Sequence, residues 1–239
     1  MTAGALKTRR DWAAAASALS IATGLFINGR HVPALGGETF DCVNPANGSV
    51  LEKIARGQAA DVDAAVANAL QAWNDRRWRG LAPRARMDIL LRFADQVQAH
   101  CDELALLETL DMGKPISDVL NIDLPEVLRT IRYFAECIDK MEGAVTHTDP
   151  SALHMILHEP LGVVGAITPW NYPAQMFGRS IAPASGVTTT SGAPSNMAVG
   201  RKVDCSSTSS TQLRNSAAPI TACDAPAAQA PAVATSTSR

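Results

Sequence analysis

Apolar positions recur along this chain with three different spacings, and each predicts a different kind of element. Val62, Val66, Ala69 and Trp73 fall three and four residues apart after Asp61, one face of a helix whose acidic start suits the helix dipole. Pro83 opens a second helical pattern with Met87, Leu90, Leu91, Ala94, Val97 and Cys101 on one face. Leu104, Leu106, Leu107 and Leu110 continue it to a stop at Gly113 and Pro115. Asp123 followed by Pro125 reads as a third helix start, with Val127, Leu128, Ile131, Phe134, Ala135 and Ile138 facing inward and Gly143 closing it. Strict alternation replaces this period in Thr39 to Val43 and in Ser151 to His158, where Leu153, Met155 and Leu157 oppose His154, Ile156 and His158. Val163 to Ile167 follows neither period: it is apolar throughout, the pattern of a strand buried on both faces of a parallel sheet.

The breaks between these stretches are equally informative. Asn28-Gly29 separates Leu25-Phe26-Ile27 from Arg30-His31-Val32 and predicts a hairpin, because Asn-Gly supplies the two positive φ values of a type I′ turn. The cluster Asn44-Pro45-Ala46-Asn47-Gly48 predicts a second turn, with Ser49 to Ala55 as the returning strand. Thr168-Pro169-Trp170-Asn171 ends the apolar run, and Pro173 suits the first position of a helix, where its missing N–H costs nothing. Strand, tight polar turn and helix N-terminus in succession make a common seat for a nucleotide or an oxyanion. On residue type alone, Asn171 is either a donor to such a group or a turn residue bonded to its own backbone.

Composition divides the 239 residues unevenly. All eleven aromatic residues precede Arg179, whereas Ser185 to Arg239 holds 33 Ser, Thr, Ala or Pro in 55 positions, too little apolar area to offset the entropy of ordering. The expectation there is disorder. A net charge of −2 with both signs interspersed argues against nucleic acid as a partner. Five cysteines, Cys42, Cys101, Cys137, Cys205 and Cys223, show neither Cys-x-x-Cys nor His spacing and read as reduced thiols of a cytoplasmic protein, with Cys101 a small core residue. His154 and His158 are too far apart on a strand to share a metal and read as surface residues. Lys7, Arg9 and Arg10 before an Ala-rich run could imitate an export signal, but Asp11 and weak hydrophobicity favour an amphipathic helix over residues 1–24 that places Trp12, Leu19 and Ile21 on neighbouring structure. No stretch of 18 apolar residues exists, so no membrane span is expected.

Pro169-Trp170-Asn171-Tyr172-Pro173 after Gly162-Val163-Val164-Gly165 resembles the aldehyde dehydrogenase superfamily. A second match is Leu110-Asp111-Met112-Gly113-Lys114-Pro115, where Met112 stands for a more usual Thr, and Asn44-Pro45 matches a recurrent turn. The likeness runs from Trp12 to Pro183. Within the superfamily it leans to the γ-glutamyl-γ-aminobutyraldehyde dehydrogenases of putrescine breakdown, through Leu25 to Gly29, Lys53 to Gly57, Ala105 to Leu110 and Ala135 with Ile138-Asp139-Lys140.

The resemblance implies an α/β fold: an N-terminal β-meander and helices over residues 25–161, then the start of an NAD-binding, Rossmann-type sheet at 162–184, left incomplete by an out-of-family tail at 185–239. It implies NAD(P)-dependent oxidation of an aldehyde, of the amino- or γ-glutamylamino-aldehyde kind, to a carboxylate. Asn171 would be the oxyanion donor, Ile167, Thr168, Pro169 and Trp170 would lie beside NAD or NADP, and Asp111 with the Val43 carbonyl would hold a potassium or sodium ion. The other reading of Asp111 is that it bonds backbone N–H groups after a helix end. Family members are homo-oligomers; the small-molecule aldehyde is the partner implied here.

The family pattern stops after Ile181-Ala182-Pro183. The Lys-Pro-Ser/Thr-Glu run, the Gly-Ser/Thr-x-x-Gly turn, the general-base Glu and the nucleophilic Cys in its Gly-Gln context are not found, and Cys205 lies only 34 residues past Asn171. Inactivity of this chain by itself is therefore expected, and a non-catalytic, partner-binding fragment is the rival reading. The switch in composition is what a GC-rich gene read out of frame would give. The coding DNA checks this: another frame downstream of Pro183 should encode an apolar strand, a Lys-Pro-Ser/Thr-Glu run and then Gly-Gln-x-Cys, and the same Ser/Thr/Ala/Pro text in all three frames would exclude a frameshift.

Overall fold

A computed structural model describes residues 8–186. Residues 185–239 were expected to form the tail; 187–239, with Cys205 and Cys223, lie outside the described residues. Ser185 and Gly186 do not belong to a tail, because they are buried in the last turn of a helix.

Helix α1 (Arg9–Ala18) starts from a capping box in which the Thr8 hydroxyl accepts the Asp11 N–H and the Asp11 carboxylate accepts the Thr8 N–H. Its Ala-rich surface buries no residue, and Trp12 is only half-buried. Strands β1 (Leu25–Ile27) and β2 (Arg30–Val32) pair antiparallel across the predicted turn, with Asn28 and Gly29 at φ 54° and 74°. Strands β3 (Thr39–Val43) and β4 (Val50–Ala55) form a second antiparallel pair with a register shift between Cys42 and Val43. The expected meander is thus two separate two-stranded sheets, linked where the Ala55 N–H reaches the Thr23 carbonyl.

Helix α2 (Ala59–Asn74) begins earlier than its apolar period suggested. Asp61 is buried rather than solvated: one carboxylate oxygen caps the Gln58 N–H and the other accepts the Leu35 N–H at 2.8 Å. Pro83 occupies the first turn of α3 (Pro83–Ala99) as predicted, and the continuous apolar signal breaks at His100 into a separate α4 (Cys101–Met112). Gly113 ends α4 at φ 73°, and a Cβ there would come within 2.8 Å of the Pro45 ring, so the β3–β4 turn seats against this helix end. A short α5 (Ile116–Asp118) runs through a π-helical turn (Val119–Asp123) into α6 (Leu124–Cys137). Asp123 is therefore not the helix cap that Pro125 implied; it has helical φ and ψ inside that turn.

The core lies among α3, α4, α6 and α7 (Pro173–Gly186). Leu90, Ala94, Ile131, Ala135, Ile181 and Ala182 are all buried, and Gly178 lets α7 approach Val127 closely enough that a Cβ would sit 3.3 Å from its methyl. Trp78 closes one end of this core, its indole N–H donating to the Ser185 carbonyl at 3.2 Å. Strands β5 (Ala144–Asp149) and β6 (Ala152–Ile156) form a third antiparallel pair, exposed on both faces, Leu153 and Met155 included. Val163 to Ile167 forms no strand. A ladder needs a partner, and no described strand runs beside it; Gly162 turns the chain at φ 106° just before it. Among the described residues no helix is long and apolar enough to cross a membrane.

This distribution of burial predicts two different mutational responses. Ile131→Ala should cost about 2–5 kcal/mol, whereas Leu153→Ala should change stability by no more than about 0.5 kcal/mol. Urea denaturation of both variants beside the parent chain measures the contrast.

Candidate active site

The Pro169 to Pro173 turn is placed by what lies behind it. Helix α7 starts at Pro173, which offers no N–H, and the first amide after it, Ala174 N–H, donates to the Glu108 carboxylate of α4 at 3.2 Å. A distant side chain thus does the work of an N-cap, and its negative charge suits the positive end of the helix dipole. The other Glu108 oxygen accepts Lys114 Nζ at 3.0 Å, and Lys114 also donates to Asp123 of the π-helical turn at 2.6 Å. Asp123 in turn accepts the Gln175 side-chain amide at 2.8 Å, and Lys114 Nζ lies 4.1 Å from the centre of the Tyr172 ring. The side chains of Glu108 and Asp123 are only 4% and 3% exposed, and that of Lys114 17%.

Burial pushes the Glu108 carboxyl above its usual range, against the pull of the Lys114 ammonium and the Ala174 N–H. For Lys114 burial acts downward, but its bonds to Asp123 and Glu108 outweigh it and raise the amine above its ordinary value, so it stays charged through neutral pH.

In front of this cluster the turn is open. Thr168 is buried, while Ile167, Pro169, Trp170, Asn171 and Tyr172 are exposed. The structure therefore presents the Asn171 amide at the head of a helix and leaves the flanking backbone accessible. That arrangement fits one flank of a planar, partly apolar cofactor ring, with Ile167 and Trp170 as apolar surface.

Asp111 and Val43 are brought to the same region, since the buried Asp111 carboxylate accepts the thiol of Cys42, the residue before Val43, at 3.2 Å. Oxygen donors of this kind suit a hard cation, but the thiol already engages one carboxylate oxygen. Among the described residues no three His, Cys, Asp or Glu side chains group to hold a metal. Cys101 is half-buried and donates to the Val97 carbonyl at 3.4 Å; burial, then the Asp102 charge, pushes its thiol up, as suits an inert core residue. His154 is exposed on β6 and pairs with Thr146.

The grouping of Glu108, Lys114, Asp123 and Gln175 behind the turn escaped the sequence reading. A signal existed: Glu108 is the one charge inside Leu104 to Leu110, and Lys114 sits in the Gly-Lys-Pro stop, but only the fold shows that both meet Asp123.

The sequence profile of the Aldehyde dehydrogenase family matches residues 31–189, and the chain belongs to that family, whose members are oxidoreductases acting on aldehydes. It is 43% identical to the aminoacetaldehyde dehydrogenase of Pseudomonas aeruginosa over 179 residues, 75% of this chain and 36% of that protein. It is also 43% identical to the NADP/NAD-dependent aldehyde dehydrogenase PuuC of Escherichia coli over 173 residues, 72% of this chain and 35% of that one. The crystal structure of γ-glutamyl-γ-aminobutyraldehyde dehydrogenase from Burkholderia cenocepacia superposes with a TM-score of 0.73 at 46% identity, covering 75% of this chain and 37% of the other. The chain thus spans about a third of the length of the relatives it matches.

The raised Glu108 carboxyl has a signed consequence. A group raised in the folded state contributes stability that is fully present below the ordinary carboxylate range and is lost as pH rises through the folded value. Relative to Glu108→Gln, which cannot ionise, the parent chain should be most stable below the ordinary carboxylate range and lose ground as pH rises above it. Urea unfolding of both across that range gives the difference curve, and a difference that grows with pH would contradict the assignment.

Proposed function

We propose that this chain carries the oxyanion-binding turn of an NAD- or NADP-dependent aldehyde oxidation, with an amino- or γ-glutamylamino-aldehyde as substrate. The observation that carries the reading is the exposed Asn171 amide at the head of α7, in a chain of the aldehyde dehydrogenase family. Its Nδ2–H₂ is a neutral donor that can face the oxygen of a tetrahedral adduct as negative charge develops there. Ile167, Thr168, Pro169 and Trp170 flank the cofactor, which when bound supplies a hydride acceptor. Trp170 and Ile167 offer the cofactor ring apolar surface. The substrate class is supported by the aminoacetaldehyde and γ-glutamyl-γ-aminobutyraldehyde relatives.

Asp111 with the Val43 carbonyl is retained as the candidate alkali-cation position, supported by the burial of Asp111 beside the β3 bulge.

Turnover also needs a thiolate nucleophile and a base that activates water, and Met1 to Arg239 holds neither in the family's sequence context. A second reading, a partner-binding module without turnover, is favoured by one observation: β5 and β6 expose Val145, Leu153, Met155 and Ile156 on a sheet of two strands.

Two measurements separate these readings. The purified chain with NAD and short aminoaldehydes should form no NADH, and formation of NADH would overturn the expected inactivity. A chimera in which residues 8–186 replace the matching segment of the Pseudomonas aeruginosa aminoacetaldehyde dehydrogenase should oxidise its aldehyde. Asn171→Ala in that chimera should lower kcat by about 10²–10³-fold; an unchanged kcat would remove Asn171 from the reaction.

A further inference from the structure

We propose that Lys114, bridging Glu108 and Asp123, is the positioning residue that sets where the Asn171 amide points. The inference rests on the oxyanion reading of Asn171. Its geometric basis is that three of the four residues after Asn171 are tied to one buried cluster. Tyr172 lies under the ammonium at 4.1 Å, the Ala174 N–H is held by Glu108 at 3.2 Å, and the Gln175 amide is held by Asp123 at 2.8 Å. The fourth, Pro173, has its φ fixed by its own ring.

Among the described residues the turn itself is exposed at Pro169, Trp170, Asn171 and Tyr172. The ties to Tyr172, Ala174 and Gln175 all reach it from behind. A donor to a developing oxyanion works only if it is held to a fraction of an ångström before the charge appears. Lys114 is the member on which the cluster depends, since among the described residues it is the cation paired with both buried carboxylates, which face each other. Among the described residues the charged groups acting on Glu108 are Lys114 and Asp123, and α7 contributes only a backbone N–H. Arg179 of α7 lies outside the cluster, its guanidinium 4.0 Å from Glu126 at the exposed surface.

The test uses the full 239-residue chain labelled with ¹⁵N, with the Asn171 side-chain NH₂ signal identified by its loss in Asn171→Asp. Lys114→Met should shift or broaden that signal and lower exchange protection of the Ala174 amide by about tenfold or more, while protection of Ile131 in α6 is kept. Lys114→Arg, which keeps the charge, should restore both. An unmoved Asn171 signal in Lys114→Met would overturn the proposal, as would a Lys114→Arg spectrum no closer to the parent than that of Lys114→Met.

If Lys114→Met also strips protection from Ile131, Gln175→Leu decides instead, because it removes one tie without touching the ion pairs. The Asn171 signal should then move, and a static signal overturns the proposal. The oxyanion reading is tested separately by Asn171→Ala in the chimera, so an inactive role for Asn171 and a mispositioned Asn171 give different results. Lys114→Met in the chimera should lower kcat by about tenfold with KM within about twofold, and Lys114→Arg should recover it.

Discussion

Two buried carboxylates and the half-buried ammonium between them are the constraint on which the Asn171 end of this molecule depends. Taking such charges out of water costs several kcal/mol per ion unless the partners' geometry compensates. Here it does, through two ion-pair bonds to Lys114, a backbone N–H and a side-chain amide. The compensation draws in four separate elements: the end of α4, the loop after it, the π-helical turn and the start of α7. A hydrophobic contact could hold these pieces near one another, but its energy varies softly with angle and slip. Directed bonds to charged groups do not, which is why the turn they carry has a fixed aim although its outer surface is bare.

Arg86 gives the contrast. It is buried in α3, its Nε and Nη1 have no hydrogen-bond partner among the described residues, and burial pulls its guanidinium below its ordinary value. The same fold therefore treats these two cations differently: the half-buried Lys114 is answered by charge, whereas two nitrogens of the buried Arg86 sit among packed side chains without a described partner.

What could be read from the sequence was whatever local chemistry decides. Asn28-Gly29, Pro83, Gly113 and Pro173 each stand where backbone conformation demands them, and the helical faces of α3 and α6 follow from spacing. The failures share a different cause. Val163 to Ile167 has the composition of an inner strand, but a strand exists only through its neighbours, and none of the described residues pairs with it. Asp123 before Leu124-Pro125 looked like a cap because the sequence shows its neighbours along the chain, while its partners, Lys114 and Gln175, lie 9 and 52 residues away. The Asn171 turn was legible as a motif; the apparatus behind it was not, because charged residues in a helical pattern ordinarily mark a solvated face.

The bond from the Trp78 indole to the Ser185 carbonyl spans 107 residues. Closing a loop of that length carries an entropic cost of about 4 kcal/mol from chain length alone. Contacts between α3 and α6 close much shorter segments and can form first, so α7 arrives last and docks onto a surface that is already assembled. During synthesis the N-terminal helices would wait with Trp78 uncovered until α7 emerges, and the head of that helix, with Asn171, takes its place only after α3 and α6 have packed.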